Sequence, residues 1–404
     1  MVAFEKPVKV QPLGLDATLA LEQSDDDGTL RIQLRARSML LCADDGRPLT
    51  LDGQEGTRYE ADWIERGNSH SQAGSGGTMS ALDVLVPAIR LVESAENIAS
   101  PRRLTILVCG GFVPQPTDLE VAGFKWRLSG LHTHSETRSL LKSTQNTAVT
   151  VRLECSLTPG QSASDAEKVA EDLLWMIRFA DARPNYWCRA TLVDDAGRIA
   201  WTNYREGAPP SRTSPGPLSF DQPQVTGFKT FLEGSYNSYR AAEGQYRLRG
   251  VIDLLRLVRS EFPTEVKALI ASNILEMLRH NYGVNILVAA GRAVLDGDDI
   301  CWRPGQKPRA GTNRMYLSEI IELLCGDLAL TGWSTSFKDL RNDVTHKCVV
   351  PGATPREQYF NTMDLIHFID RVVLALLDVD KLALSYFRCN TKSDRGVWVA
   401  PFQR

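Results

Sequence analysis

GAPPSRTSPGPLSFDQP, residues 207–223, decides how this chain is built. Five prolines, three serines and two glycines within seventeen residues remove amide donors and loosen the backbone, so neither strand nor helix continues through it. On its N-terminal side the patterning is that of strands. Ala17–Gln23 and Thr29–Leu41 flank the turn Asp25-Asp26-Asp27-Gly28, and Leu104–Val113, Glu120–Leu131 and Thr147–Leu157 are alternating or β-branched runs stopped by Gly and Pro. Tyr186–Val193 and Arg198–Asn203 read as a hairpin over Asp194-Asp195-Ala196-Gly197. One helix interrupts them, with Ser164 as its N-cap and Val169, Leu173, Trp175, Met176 and Phe179 at helical spacing. Gly67–Gly77, GNSHSQAGSGG, reads as a flexible loop by composition.

Beyond residue 223 the period changes from two to 3.6. Helices are expected at 228–260, 264–281, 284–295, 316–330, 335–347 and 355–379, the last carrying the stripe Leu365, Ile366, Ile369, Val372, Val373 and Leu376. The expected fold class is therefore α+β in two domains. Residues 1–206 form a β-rich, sandwich- or barrel-like domain with one helix, residues 207–226 a linker, and residues 227–404 an all-α bundle with a C-terminal extension.

The 404 residues carry a net charge of -3, but unevenly. Residues 226–404 hold 23 Lys and Arg against 20 Asp and Glu, and residues 1–225 hold 23 against 29. A polyanion would meet the helical half. Cys301–Arg314, CWRPGQKPRAGTNR, gathers Arg303, Lys307, Arg309 and Arg314 with no acid, and so suits contacts to phosphate. The densest apolar run, Val372–Leu377, is closed by Arg371 and Asp378, and the N-terminus has no apolar stretch behind a basic start. Neither a membrane span nor a secretory signal is expected. Eight cysteines scattered without any C-x-x-C read as reduced thiols, which points to a cytoplasmic protein.

Chemistry concentrates in Phe337-Lys338-Asp339-Leu340-Arg341-Asn342-Asp343-Val344-Thr345-His346-Lys347. An Arg, a polar Asn and a His lie on one expected helix, shortly before the long final helix. At ~100° per residue Arg341 and His346 stand about 140° apart, whereas Asn342 and His346 share a face. Arg127 has the same spacing to His132, but in a strand-and-turn context.

The 341–346 stretch resembles the R-x(4–6)-H signature of the HEPN superfamily, and the two-part layout looks like that of ApeA-like HEPN anti-phage proteins. The resemblance covers residues 228–380. It implies a homodimer in which both copies of the motif meet at a shared cleft, and a metal-independent endoribonuclease that needs no cofactor. A ribose 2′-OH would attack the adjacent phosphorus, leaving a 2′,3′-cyclic phosphate and a 5′-OH. His346 is then general acid/base, since histidine titrates near neutral pH. Arg341 stabilises the transition state, and Asn342 positions or binds phosphate. Arg303, Lys307, Arg309, Arg314, Lys338 and Lys347 are the candidate substrate-binding residues. DNA, lacking the 2′-OH, is not cleaved this way. The N-terminal domain would sense a trigger, in this family's setting a phage-derived one, and restrain a toxic nuclease.

Two other readings follow from the residues. HEPN-like domains without nuclease activity exist, so the chain would then be a dimerising interaction protein with a ligand-binding β-rich domain. Trp126, Trp187 and Trp201 would supply an aromatic surface for that ligand, although tryptophans in strands are more often core. His132-Thr133-His134, if extended, would place two imidazoles on one face with Glu136 nearby, the start of a metal site. No P-loop, dinucleotide fingerprint or nucleophile elbow is present.

Overall fold

A computed structural model describes residues 1–11, 15–36, 49–54, 57–61, 69–74, 77–84, 91–94, 101–113, 115–205, 207, 211, 216–218, 227–306, 313–330, 337–347, 349–379, 386–390 and 394–399. The fold is mixed α+β, a β-rich N-terminal region followed by helices. It divides into two compact units, residues 1–171 with 184–211 and residues 172–183 with 212–404.

The first unit contains β1 (Val2–Gln11), β2 (Leu15–Gln23), β3 (Leu30–Ala36), β4 (Leu49–Gly53), β5 (Arg58–Ala61), β6 (Ser69–Gly74), β7 (Gly77–Val84), β8 (Leu91–Ser94), β9 (Pro101–Cys109), β10 (Thr117–Val121), β11 (Phe124–Gly130), β12 (Val149–Ser156), β13 (Tyr186–Asp194) and β14 (Ile199–Tyr204). They form one hydrogen-bonded antiparallel sheet in the order β10-β11-β12-β9-β13-β14-β8-β5-β4-β1-β2-β3-β7-β6. Alternation sets its register. Val8 and Val10, Ala17, Leu19 and Leu21, and Leu30, Ile32 and Leu34 are buried together on one face. Leu19 pairs with Leu34 and Leu21 with Ile32, and a one-residue slip would turn this whole set to water.

Four sequence expectations need correction in this unit. Glu120–Leu131 is not one strand but the end of one and all of the next, because Ala122 and Gly123 take φ of 51° and 77° and close the β10–β11 turn. Within Gly67–Gly77, Ser69–Gly74 is not a loop but a strand that pairs along β7. Two helices are present, α1 (His134–Ser143) and α2 (Ala163–Asp181), where one was expected. Ser162, not Ser164, caps α2, its Oγ accepting from the Asp165 amide at 3.4 Å. The Asp194–Gly197 hairpin forms as expected. Trp126 and Trp187 are buried and so offer no ligand surface; Trp201 is half-buried.

The second unit takes the end of α2 and continues through α3 (Gly227–Tyr246), α4 (Leu248–Val258), α5 (Thr264–Tyr282), a π-helical turn at Gly283–Val288, the hairpin β15 (Ala293–Asp296) and β16 (Asp299–Trp302), α6 (Leu317–Asp327), α7 (Phe337–Lys347), α8 (Pro355–Leu376) and the hairpin β17 (Tyr386–Asn390) and β18 (Asp394–Val399). The expected helix at 228–260 breaks at Arg247, which sits at φ 53°. The Asn281 side chain donates to the Tyr246 carbonyl at 2.8 Å, and Glu243 accepts from the Arg249 amide at 2.7 Å, so the groups freed by the break are paired. The expected helix at 284–295 is instead one π turn followed by a strand. Gly283 permits this, because a Cβ there would lie 2.2 Å from Ile300 Cδ1 of the hairpin that folds against it.

The core of this unit joins Ala268, Ala271, Leu275 and Leu278 of α5 with Leu365, Ile369, Val372 and Val373 of α8. Buried charge is paired. Asp172 has no exposed surface and accepts from Arg249 at 2.8 Å, Arg240 at 2.9 Å and Tyr236 at 3.2 Å. Arg259 at the end of α4 pairs with Asp370 of α8.

Candidate functional site around Arg341

α7 is amphipathic over a short span: Leu340 and Val344, one turn apart, are buried, and the helix packs on α5. That packing fixes the direction of every polar residue on it. Arg341, beside Leu340, is half-buried with a quarter of its side chain exposed. One terminal nitrogen stands 2.7 Å from Glu276 Oε1 of α5, and the other donates to Asn342 Oδ1 at 2.9 Å. Its Nε is buried without a hydrogen-bond partner. Glu276 also contacts Arg279, one turn on, with Arg279 Nε 2.8 Å from Oε2. That contact is an ion pair in distance only, since the same Nε has no aligned hydrogen bond.

His346 is exposed and makes no hydrogen bond or ion pair among the described residues. The separation of Arg341 and His346 around the helix is thus realised as an inward and an outward group. Asn342 is half-buried and bonded to Arg341, so it orients the guanidinium. Lys347 donates to Asp343 at 2.7 Å, and that bond holds its ammonium above the usual lysine range.

No described contact joins the remaining sequence-derived site residues to α7. Arg303 is exposed just beyond β16. Arg314 returns to the same hairpin, bridging Cys301 and lying 3.1 Å from Asp299, so the absence of acid within 301–314 does not leave it unpaired. Lys307 and Arg309, and the side chain of Lys338, lie outside the described residues. Arg127 sits on β11 with Asp118 3.7 Å away, and His132 follows that strand, so the second Arg–His spacing shares no element.

The two imidazoles at 132 and 134 do not share an extended face. Thr133 is the N-cap of α1, and Glu136 bonds back to it at 2.9 Å through the Thr133 amide, which commits that carboxylate to a capping box. Among the described residues no group of three or more His, Cys, Asp or Glu is placed to hold a metal ion.

Comparison with known proteins adds nothing to this geometry. No family model, curated protein or solved structure matches the chain. The site therefore stands on its own residues, and two of them carry no sequence signal. Glu276 and Arg279 precede Arg341 by more than sixty positions, and only packing of α5 on α7 brings them there. Glu276 lies on a helix whose neighbouring Leu275 and Leu278 are core, and its carboxylate is half-buried beside them.

Proposed function

We propose that the chain is a HEPN-type endoribonuclease acting as a homodimer in anti-phage defence, with its catalytic groups on α7. The observation that carries this reading is a fixed guanidinium and an unpaired exposed imidazole on one short helix. In the proposed reaction the 2′-oxygen forms a bond to phosphorus while the bond to the 5′-oxygen breaks. One His346 takes the 2′-OH proton, and the leaving 5′-oxygen takes a proton from the second His346 or from water. Arg341, held by Glu276 and Asn342, retains N–H groups for the non-bridging oxygens, where charge grows in the transition state. Because Arg341 and His346 of one chain face differently, a complete site takes its groups from two chains. The β-rich unit is the sensor of a phage-derived trigger in this reading.

The test is incubation of the purified chain with RNA in EDTA, beside Arg341→Ala and His346→Ala, with growth of expressing cells followed under phage challenge. Loss of cleavage and of protection in both variants, with cyclic-phosphate ends in the wild type, is the expected result. Equal behaviour of all three proteins overturns it. A second reading is favoured by the ion pair itself: Arg341 would only tie α7 to α5 in a non-catalytic interaction protein. Arg341→Ala would then lower stability while His346→Ala changed nothing.

A further inference from the structure

We propose that Glu276 is a positioning residue that joins Arg341 and Arg279 into a two-guanidinium cradle, with Arg279 the second phosphate-binding group. The inference rests on the nuclease reading above and adds two residues to it. A carboxylate paired with one Arg cancels its charge and leaves little pull on an anion. Here one carboxylate lies between two guanidinium groups, 2.7 Å from Arg341 and 2.8 Å from Arg279, so the cluster keeps a net positive charge. Glu276 is about a quarter exposed, as are both arginines, so the cluster borders solvent without being free in it.

Donor accounting points the same way. Arg341 commits one N–H of one terminal nitrogen to Asn342, while its other terminal nitrogen meets Glu276 as an ion pair without an aligned hydrogen bond, so N–H groups remain on both. The terminal nitrogens of Arg279 make no hydrogen bond among the described residues. Two fixed guanidinium groups with spare donors match the two non-bridging oxygens of a phosphodiester. The role of Glu276 is orientation: it has no donor for the substrate and never touches the reacting atoms.

The experiment measures kcat and KM on RNA for full-length wild type, Glu276→Gln, Arg279→Ala and Arg279→Lys, and binding of a fluorescein-labelled 2′-O-methyl oligoribonucleotide that the reaction cannot cleave. Glu276→Gln keeps the volume and both arginines, so kcat falls by roughly 10- to 100-fold while KM and oligonucleotide affinity stay within about threefold. In an Arg341→Ala background the same change costs less than about twofold. Arg279→Ala weakens oligonucleotide binding and raises KM by roughly tenfold, and Arg279→Lys restores part of it. Unchanged kcat in Glu276→Gln with a lowered melting temperature makes the contact purely structural and overturns the proposal; a faster Glu276→Gln does so too, by making the contact a latch. If the wild type cleaves no RNA, the nuclease reading fails by itself. The oligonucleotide arm then still decides the cradle, which falls if Arg279→Ala binds as the wild type does.

Discussion

Arg341 and His346 lie five residues apart on α7 and serve opposite sides of it, the arginine drawn in by Glu276 and the imidazole left in solvent. A single chain therefore does not aim both at one phosphate. If the active centre combines Arg341 of one chain with His346 of another, two inactive variants should complement each other. Arg341→Ala and His346→Ala are each expected to lose ~100-fold or more in RNA cleavage, and their equimolar mixture to exceed either by roughly tenfold. A mixture no more active than its components would overturn the two-chain site.

Arg259 and Asp370 join the end of α4 to α8 with only 5% and 8% of their side chains exposed. Removing Asp370 takes from the buried Arg259 guanidinium the carboxylate that balances its charge. Asp370→Ala should cost about 3–5 kcal/mol in urea denaturation, whereas Arg259→Met together with Asp370→Leu should recover most of that loss. Asp172 makes a graded comparison. Its partner Arg240 is 54% exposed and Arg249 is 34% exposed, so Arg249→Met should destabilise more than Arg240→Met.

What could be read from sequence was whatever repeats locally. The change of period at the Pro-rich stretch separated strand-rich from helical chain, and the core stripe of α8 and the Asp194–Gly197 hairpin followed from side-chain spacing and turn chemistry. The failures have a common physical origin. The break at Arg247 is held by Asn281, the turn at Gly283 by Ile300, and the setting of Arg341 by Glu276, each a partner distant in sequence. α1 escaped notice because its first turn is the polar His-Ser-Glu, and the capping box rather than an apolar stripe marks it.

Gly28 is required for two reasons that can be separated. Its φ is 70°, and a Cβ there would meet Cys109 Sγ at 2.6 Å and Cys188 Cβ at 2.9 Å. Gly197 has φ 77° with nothing within 4 Å. Gly197→Ala should thus lose about 1 kcal/mol for backbone strain alone, and Gly28→Ala a further 1–3 kcal/mol, roughly, for overpacking. Equal losses in chemical denaturation would mean the two thiols move aside.

The same hairpin gives a prediction in pH. Asp194 accepts from the Arg198 amide at 2.8 Å, the Ala196 amide at 2.9 Å and Arg198 Nε at 2.7 Å. These bonds, the Arg198 amide foremost, hold its carboxyl below the ordinary carboxylate range against the opposing pull of burial. With the folded value depressed, the unfolded chain binds the proton more readily, so stability rises with pH through this window. The contribution is complete above the ordinary carboxylate pKa of about 4 and disappears as pH falls through the folded value. Asp194→Ala should lower the melting temperature by a constant amount from neutral pH down to about pH 5, and by progressively less below about pH 4. A deficit as large at the acidic end as at neutrality would assign the effect to the shape of the turn rather than to the charge of Asp194.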